Sequence, residues 1–521
     1  MEGHVHENGH ALFSEELKMK TETYTCGKVS FRFRFFEPEQ FDELLPLVVF
    51  LADDEHDIEY KHFTDEINQH SHPSFVLCPE CRDWSDPENG QALQRLIFDI
   101  RKKYRMDICR TYLVGDGFGA VGAWYMLGSY PRLFAGTIAI GGCGDPYHVR
   151  NAIFAPVWAF HSVKDQRIDI RKPTELCGKK YLAGTQRLID ALRTGGSELA
   201  KYSEENDEPN DLPEKVLSRS DVMEWLYNQD RKKITWVYMI TPDLYRFDDW
   251  FMSSCYLIIG KDRALLVDTT MTHGNLASLV KRITSLPVDL AVTHPHLDHM
   301  LHAFAFDRVY IHEHTAKEMD HQLQIMKEML ASTGGGDLEI LTHMTPDFID
   351  QAMQVKQPIP LHDGDEIDLG GGVIVEAKDL GGHTRYDMVF VDKKHKTVFT
   401  GDAVGSGYVV GVSYHKGCFR ETYEHYRDQL QRFIDYIRPF GECTYFGGHY
   451  IQENSCEDPM QEDYLNGQST YYVPLTFEVV AHMKILCDNL LAGKYDGEFR
   501  EDGGFRVYYG DASLSANMLD P

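Results

Sequence analysis

From about Thr21 to Lys233, short apolar runs rich in branched residues alternate with amphipathic stretches. LPLVVFLA, PSFVLCPE, RTYLVG, AGTIAIGG and APVWAFHS each read as a buried strand, with helical spacing between them. That alternation predicts an α/β domain with a mostly parallel sheet. ENDEPNDLPE, residues 205–214, reads as an acidic, turn-rich loop, and DVMEWLYNQDRKK as a closing helix and linker. A second set of strands begins at ITWVYMI. CYLIIG and ALLVDTT, joined by GKDR, read as a hairpin, and DLAVTH, VYIHE, VIVEA, MVFVD and TVFTGDA follow with helices between them. PLTFEVVAHMKILCDNLLAG reads as an amphipathic helix and GFRVYY as a last strand, while STGGGD, Ser332 to Asp337, reads as a flexible loop inside an insertion.

A chain of 521 residues exceeds the roughly 100 to 200 residues of one domain, so we expect two: residues 21–233 and 234–521, behind a polar, flexible tail at residues 1–20. The formal net charge of −29, with no basic run to offset it, disfavours nucleic-acid partners. The N-terminus has no basic start followed by an apolar run, and no stretch of about 18 apolar residues occurs, so a cytoplasmic protein without membrane contact is expected. Eleven scattered cysteines fit reduced thiols. Cys78 and Cys81 form a single CxxC without the second pair that a zinc knuckle needs.

Candidate chemistry concentrates in LAVTHPHLDHM. A buried strand runs into a loop presenting His294, His296, Asp298 and His299, side chains suited to a borderline-soft divalent ion such as zinc. Four such groups on so short a loop cannot all reach one tetrahedral ion and leave room for water and substrate, so the spacing points to two adjacent ions. Three more ligand-type residues, His383, Asp402 and His449, sit at the ends of expected strands downstream, each preceded by glycine.

The series HxHxDH, GHT, GD and a late GH resembles the metallo-β-lactamase superfamily. The resemblance covers about Ile234 to Tyr450 and implies an αββα sandwich. It further implies that His294, His296 and His383 hold one metal, that Asp298, His299 and His449 hold a second, that Asp402 bridges them, and that Asp268 braces the metal loop without being a ligand. Two zinc ions per chain are implied, with iron or manganese as alternatives. Asp298 and Asp402 are then also the residues that orient water or accept its proton. The flavodiiron branch usually has Glu where His296 stands and carries a flavodoxin partner, and neither feature is seen. We therefore expect a metal-dependent hydrolase acting on a small carbonyl ester, thioester or lactone. A β-lactam or a phosphodiester on the same centre, and a non-catalytic binding or scaffold protein, are the alternatives. Arg385, Tyr386, Tyr408 and His415 lie near the ligand loops and are candidates for substrate contact.

In the first domain, Gly117, Gly119 and Gly122 match GxGxxG after a strand, a weak dinucleotide signal when it stands alone. The same stretch resembles the α/β-hydrolase fold in its carboxylesterase and dienelactone-hydrolase-like branch, in which GxSxG turns sharply from strand to helix. Here the turn is Gly115, Asp116, Gly117, Phe118, Gly119, and the nucleophile position is Gly117. Asp165 matches the acid position. No histidine occurs between His161 and His273, and the expected oxyanion loop, LADDEHD, carries carboxylates where backbone donors normally stand. Asp116 is a weak alternative nucleophile, lacking a partner histidine. The resemblance thus implies a catalytically inactive domain, retained for shaping, for ligand binding or as a surface for a homodimer.

Overall fold

In VSFRFRFF, period-two alternation turns Phe31, Phe33 and Phe35 to a buried face and leaves Arg32 exposed on the other. The structure, a computed structural model, describes residues 19–38, 44–52, 61–81, 83–104, 106–176, 178–249, 253–272, 274–331, 350–352, 354–404, 411–412, 418–449, 475–494, 496–499 and 504–517. The chain divides into two compact units, Met1–Asp230 and Arg231–Pro521.

Unit 1 has eight strands in one sheet: β1 (Met19–Cys26), β2 (Val29–Phe36), β3 (Leu45–Leu51), β4 (Phe75–Glu80), β5 (Met106–Asp116), β6 (Gly136–Ile140), β7 (Val157–Ser162) and β8 (Ala200–Glu205). Their order is β1-β2-β4-β3-β5-β6-β7-β8. The β1–β2 and β2–β4 pairs are antiparallel and the rest parallel, which is an α/β-hydrolase-type sheet. Four helices matter below: α1 (Pro87–Lys103), α2 (Gly117–Ser129), α3 (Thr185–Thr194) and α4 (Ser220–Tyr227). Asp86 caps α1, accepting a 2.9 Å bond from Glu88 N. One sheet face packs Val48, Phe50, Val114 and Ile138 on Val222 and Leu226 of α4. The other packs Ala139 and Val157 on Trp124 and Leu127 of α2 and Leu188 and Leu192 of α3. Each fully buried side chain of this size contributes about 1.5–3 kcal/mol of transfer free energy.

The turn from β5 into α2 passes through Gly117 at φ +48°, a left-handed conformation that glycine adopts without strain. Packing also accounts for the other glycines of the GxGxxG match: a Cβ on Gly119 would lie 1.9 Å from the Leu51 carbonyl oxygen, and one on Gly122 would strike Trp84. Three features differ from expectation. β1 opens at Met19, inside the anticipated tail, because its alternating polar residues pair with β2. That antiparallel hairpin was not among the anticipated strands. A helix spans Leu212–Leu217, so the end of the acidic loop is ordered by the buried Leu212, Val216 and Leu217. The LADDEHD carboxylates, His273 and the STGGGD loop lie outside the described residues.

Unit 2 stacks two sheets. The first runs in chain order through β9 (Trp236–Thr241), β10 (Leu244–Asp248), β11 (Ser254–Ile259), β12 (Ala264–Val267), β13 (Val288–Ala291), β14 (Val309–His312) and β15 (Ile359–Leu361), antiparallel up to β12 and parallel thereafter. The second holds β16 (Glu366–Asp368), β17 (Ile374–Asp379), β18 (Met388–Asp392), β19 (Thr397–Gly401) and β20 (Thr444–Gly447), with β19 and β20 parallel. Ile258, Leu265 and Val267 meet Val375, Phe390 and Phe399 between the sheets. Helices α5 (Leu276–Ile283) and α6 (Met319–Ala331) cover the first sheet, while α7 (Phe419–Ile437) and α8 (Phe477–Leu491) cover the second, completing an αββα sandwich. A small sheet of β21 (Gly497–Phe499), β22 (Gly504–Tyr509) and β23 (Ala512–Asn517) includes a short pairing of Gly411–Val412 with β23. Among the described residues no helix is long and apolar enough to cross a membrane.

Candidate metal centre

Strands β12, β13, β17, β19 and β20 end beside one another, and the residues that follow them converge. Three donor groups form within 4.8 Å: His294, His296 and His383; Asp298, His299 and His449; and His294, His299 and Asp402. His296 Nδ1 lies 3.1 Å from His294 Nε2 and 2.8 Å from His383 Nε2. Asp298 Oδ2 lies 3.3 Å from His299 Nε2 and 3.4 Å from His449 Nε2. Between the groups, Asp402 Oδ2 stands 3.8 Å from His294 Nε2, 3.7 Å from His383 Nε2, 3.5 Å from His299 Nε2 and 3.2 Å from His449 Nε2. All seven residues singled out in the sequence are therefore together. His296 and Asp298 are partly exposed, so the centre opens on their side.

The positions of the donors follow from a buried bracing network. Asp268 adopts φ +63° and accepts from Thr293 N at 2.7 Å, from Thr293 Oγ1 at 2.8 Å and from His299 Nδ1 at 2.9 Å. Because the Thr293 hydroxyl donates to Asp268, it can only accept from His294 Nδ1, 3.0 Å away. Nδ1 of both His294 and His299 is thereby the donor in this network and Nε2 faces the centre, an assignment made from the network. Gly448 precedes His449 because a Cβ there would lie 2.4 Å from Asp402 Oδ1 and 2.7 Å from the His299 ring.

Burial, with His299 close by, pushes His294 well below its ordinary pKa, and burial with His383 lowers His296 to about 4. Against the cost of burial, His299 and His449 hold Asp298 and Asp402 well below the carboxylate range. Burial likewise opposes protonation of His299, but Asp298, Asp402 and Asp268 raise it well above its usual value. The neutral His294 and His296 imidazoles beside ionised carboxylates are a cation-ready donor set, while Asp298 and Asp402 favour a second proton on His299 and, against burial, on His449, at nitrogens that a cation would take. The fit is supported by His299 Nε2, which is buried without a hydrogen-bond partner among the described residues.

Arg385 is exposed and pairs with Glu421 at 3.2 Å, and Tyr386 stacks on His312 at 4.9 Å and His314 at 4.6 Å. Tyr408 and His415 lie outside the described residues. In unit 1, Asp116 is fully buried, and Asp165 accepts from Arg167 N and Ile168 N while lying 3.3 Å from His161 Nε2.

Three supporting residues were not singled out in the sequence. Buried Asp249 accepts from Ser253 N at 3.0 Å, Ser253 Oγ at 2.6 Å and Met271 N at 2.5 Å, and Ser253 bridges to His449. Asp387 gathers the loop around His383 through Gly382 N at 3.1 Å and Thr384 N at 2.8 Å. Tyr426 of α7 donates to the Ala403 carbonyl and packs where a Cβ on Gly382 would otherwise stand, at 2.2 Å from its ring. A carboxylate beside a strand end, as in FDDW and TRYDM, was the available signal for the two aspartates; Tyr426 had none.

Residues 248–449 match the family described as the metallo-beta-lactamase superfamily. An acyl-coenzyme A thioesterase MBLAC2 of Bos taurus is 25% identical over 173 residues, which cover 30% of this chain and 60% of that protein. The chain thus spans under two thirds of that curated relative. A thermostable esterase structure shares 25% identity with a TM-score of 0.34, covering 41% of this chain and 63% of its own. A metallo-beta-lactamase family protein from Thermus thermophilus shares 17% identity with a TM-score of 0.31, covering 50% of this chain and 97% of its own.

Proposed function

Since residues 248–449 form a domain of the metallo-beta-lactamase superfamily, we propose that this chain is a dinuclear, zinc-dependent hydrolase of a small carbonyl ester, thioester or lactone, with thioesters foremost. The observation that carries the reading is the position of Asp402 Oδ2, within 3.2–3.8 Å of nitrogens from both histidine groups, where one carboxylate can serve two ions. His294, His296 and His383 would hold one ion, and Asp298, His299 and His449 the other. Ions bound there would supply Lewis acidity toward the scissile carbonyl and a water that ionises near neutral pH. Asp298, partly exposed on the open side, orients the attacking water and accepts its proton together with Asp402. Asp268 keeps His299 in the tautomer that offers Nε2. The resemblance to acyl-coenzyme A thioesterases favours a thioester, whose thiolate has a conjugate acid of pKa about 8–9 and departs readily near neutral pH.

The test is elemental analysis of the purified full chain, coupled to a panel of chromogenic esters, thioesters, lactones, β-lactams and phosphodiesters. About two metal equivalents per chain are expected. His296→Ala and Asp402→Ala should each lower turnover by about a thousandfold, a loss of roughly 4 kcal/mol of barrier reduction. A metal-replete chain inert toward the whole panel overturns the reading.

A further inference from the structure

Unit 1 contains a cavity of about 90 Å³, walled by Val121 and Trp124 of α2, by Cys143 and Val149, and by Leu188 of α3. It adjoins the strand-to-helix turn: Phe118, Val121, Cys143, Ile168 and Leu176 form one buried cluster, with Tyr181 packed against it. Its polar lining is sparse. The hydroxyls of Ser85 and Tyr181 lie 3.0 Å apart, and His148, kept below its ordinary pKa by burial, contacts Ser129 Oγ at 3.2 Å. Asp145 also belongs to the lining, exposed and accepting from Tyr147 N. Tyr181 in this lining belongs to a hairpin of two short strands, Thr174–Leu176 and Lys179–Tyr181. It is latched to the loop after β4 by Tyr181 on Ser85 and by Lys179 Nζ at 2.5 Å from Asp83 Oδ2.

We propose that unit 1 is a receptor for a compact, neutral, largely apolar molecule bearing a hydrogen-bonding oxygen, of the class of short-chain alcohols and esters, held between α2, α3 and Tyr181. The size follows from the space, since a cavity of about 150 Å³ takes benzene with its six heavy atoms, so one of about 90 Å³ accommodates about four. The neutrality follows from the lining: the Asp145 carboxylate at its exposed side disfavours an anion, and apolar walls with two hydroxyls and an imidazole disfavour any ion. The molecule is held and not cleaved, because Gly117 stands where a hydrolase of this fold carries its nucleophile.

The experiment uses the full chain, chelator-treated to silence unit 2, with n-propanol and methyl formate as probes in ligand-observed NMR. Saturable binding with a dissociation constant of about 1 mM or tighter is expected for at least one probe. Val121→Phe, which fills the space, should weaken it at least about tenfold. In parallel, methyl methanethiosulfonate should modify Cys143 slowly, and the bound probe should slow it further, as read by peptide mass spectrometry. The proposal is overturned by absence of saturation, by unchanged binding in a folded Val121→Phe chain, or by a Cys143 that is unreactive or unprotected. Should Val121→Phe fail to fold, protection of Cys143 in the unaltered chain decides.

Discussion

Asp268 holds a backbone conformation uncommon for any residue but glycine, and its carboxylate is shared among three donors. Strain of this kind persists where surrounding contacts over-determine it. Asp268→Asn keeps the shape but places an amide N–H against groups that donate, so His299 loses the partner that fixes its tautomer. Metal affinity should fall about 10- to 100-fold, measured by competition with a chromogenic chelator, with the fold retained. A second residue-scale consequence concerns His302, buried with Nε2 2.8 Å from the Thr272 carbonyl; burial lowers its pKa to about 4 despite that bond. Relative to an unfolded value near 6.5, the unfolded chain takes the proton first, so His302 favours folding in full above about pH 6.5. That contribution, at most about 3 kcal/mol, is lost as pH falls toward 4. The unit 2 transition of His302→Gln should therefore depend less on pH between 4 and 6.5 in calorimetry.

At the scale of elements, α7 is the common support of two ligand loops. Tyr426 meets Gly382, next to His383, with its ring, and Ala403, next to Asp402, with its hydroxyl. Tyr426→Phe keeps the ring and removes one buried hydrogen bond, so about 1 kcal/mol of stability should be lost. If the hydroxyl positions ligands and not substrate, kcat falls several-fold while KM stays nearly constant in steady-state assays. This element also shows what could be read in advance. The seven donors were legible because imidazoles and carboxylates crowd short loops behind glycines. The buried strands were legible because they are apolar on both faces. Tyr426, Asp387 and Asp249 were not, because each acts on backbone groups that only the folded chain brings near. The β1–β2 hairpin was missed although FRFRF alternates cleanly, since its apolar residues occupy one face and make no continuous run.

For the whole molecule, each unit has its own core, and among the described residues it is unit 2 that gathers the donor set. Calorimetry should resolve two transitions, of which chelation lowers one and spares the other, because an ion that binds only the folded state stabilises only the unit holding it. The net charge of −29 bears on substrate choice. A polyanionic thioester such as an acyl-coenzyme A would be repelled at long range, so its KM should fall as salt rises from 0.02 to about 0.2 M, where the screening length shrinks to roughly 7 Å. A neutral thioester should show no such trend in the same assay.

The bracing of His294 and His299 by Asp268 and Thr293 also bears on the timing of synthesis. Those four residues leave the ribosome close together, whereas His383, Asp402 and His449 follow much later. At about 5–20 residues per second, the gap before His449 appears is on the order of ten seconds or more. Through that interval the nascent chain exposes a half-built donor cluster able to capture whichever soft cation is abundant. Metal identity in the mature protein would then reflect the cellular metal pool during translation as well as the affinity of the finished site.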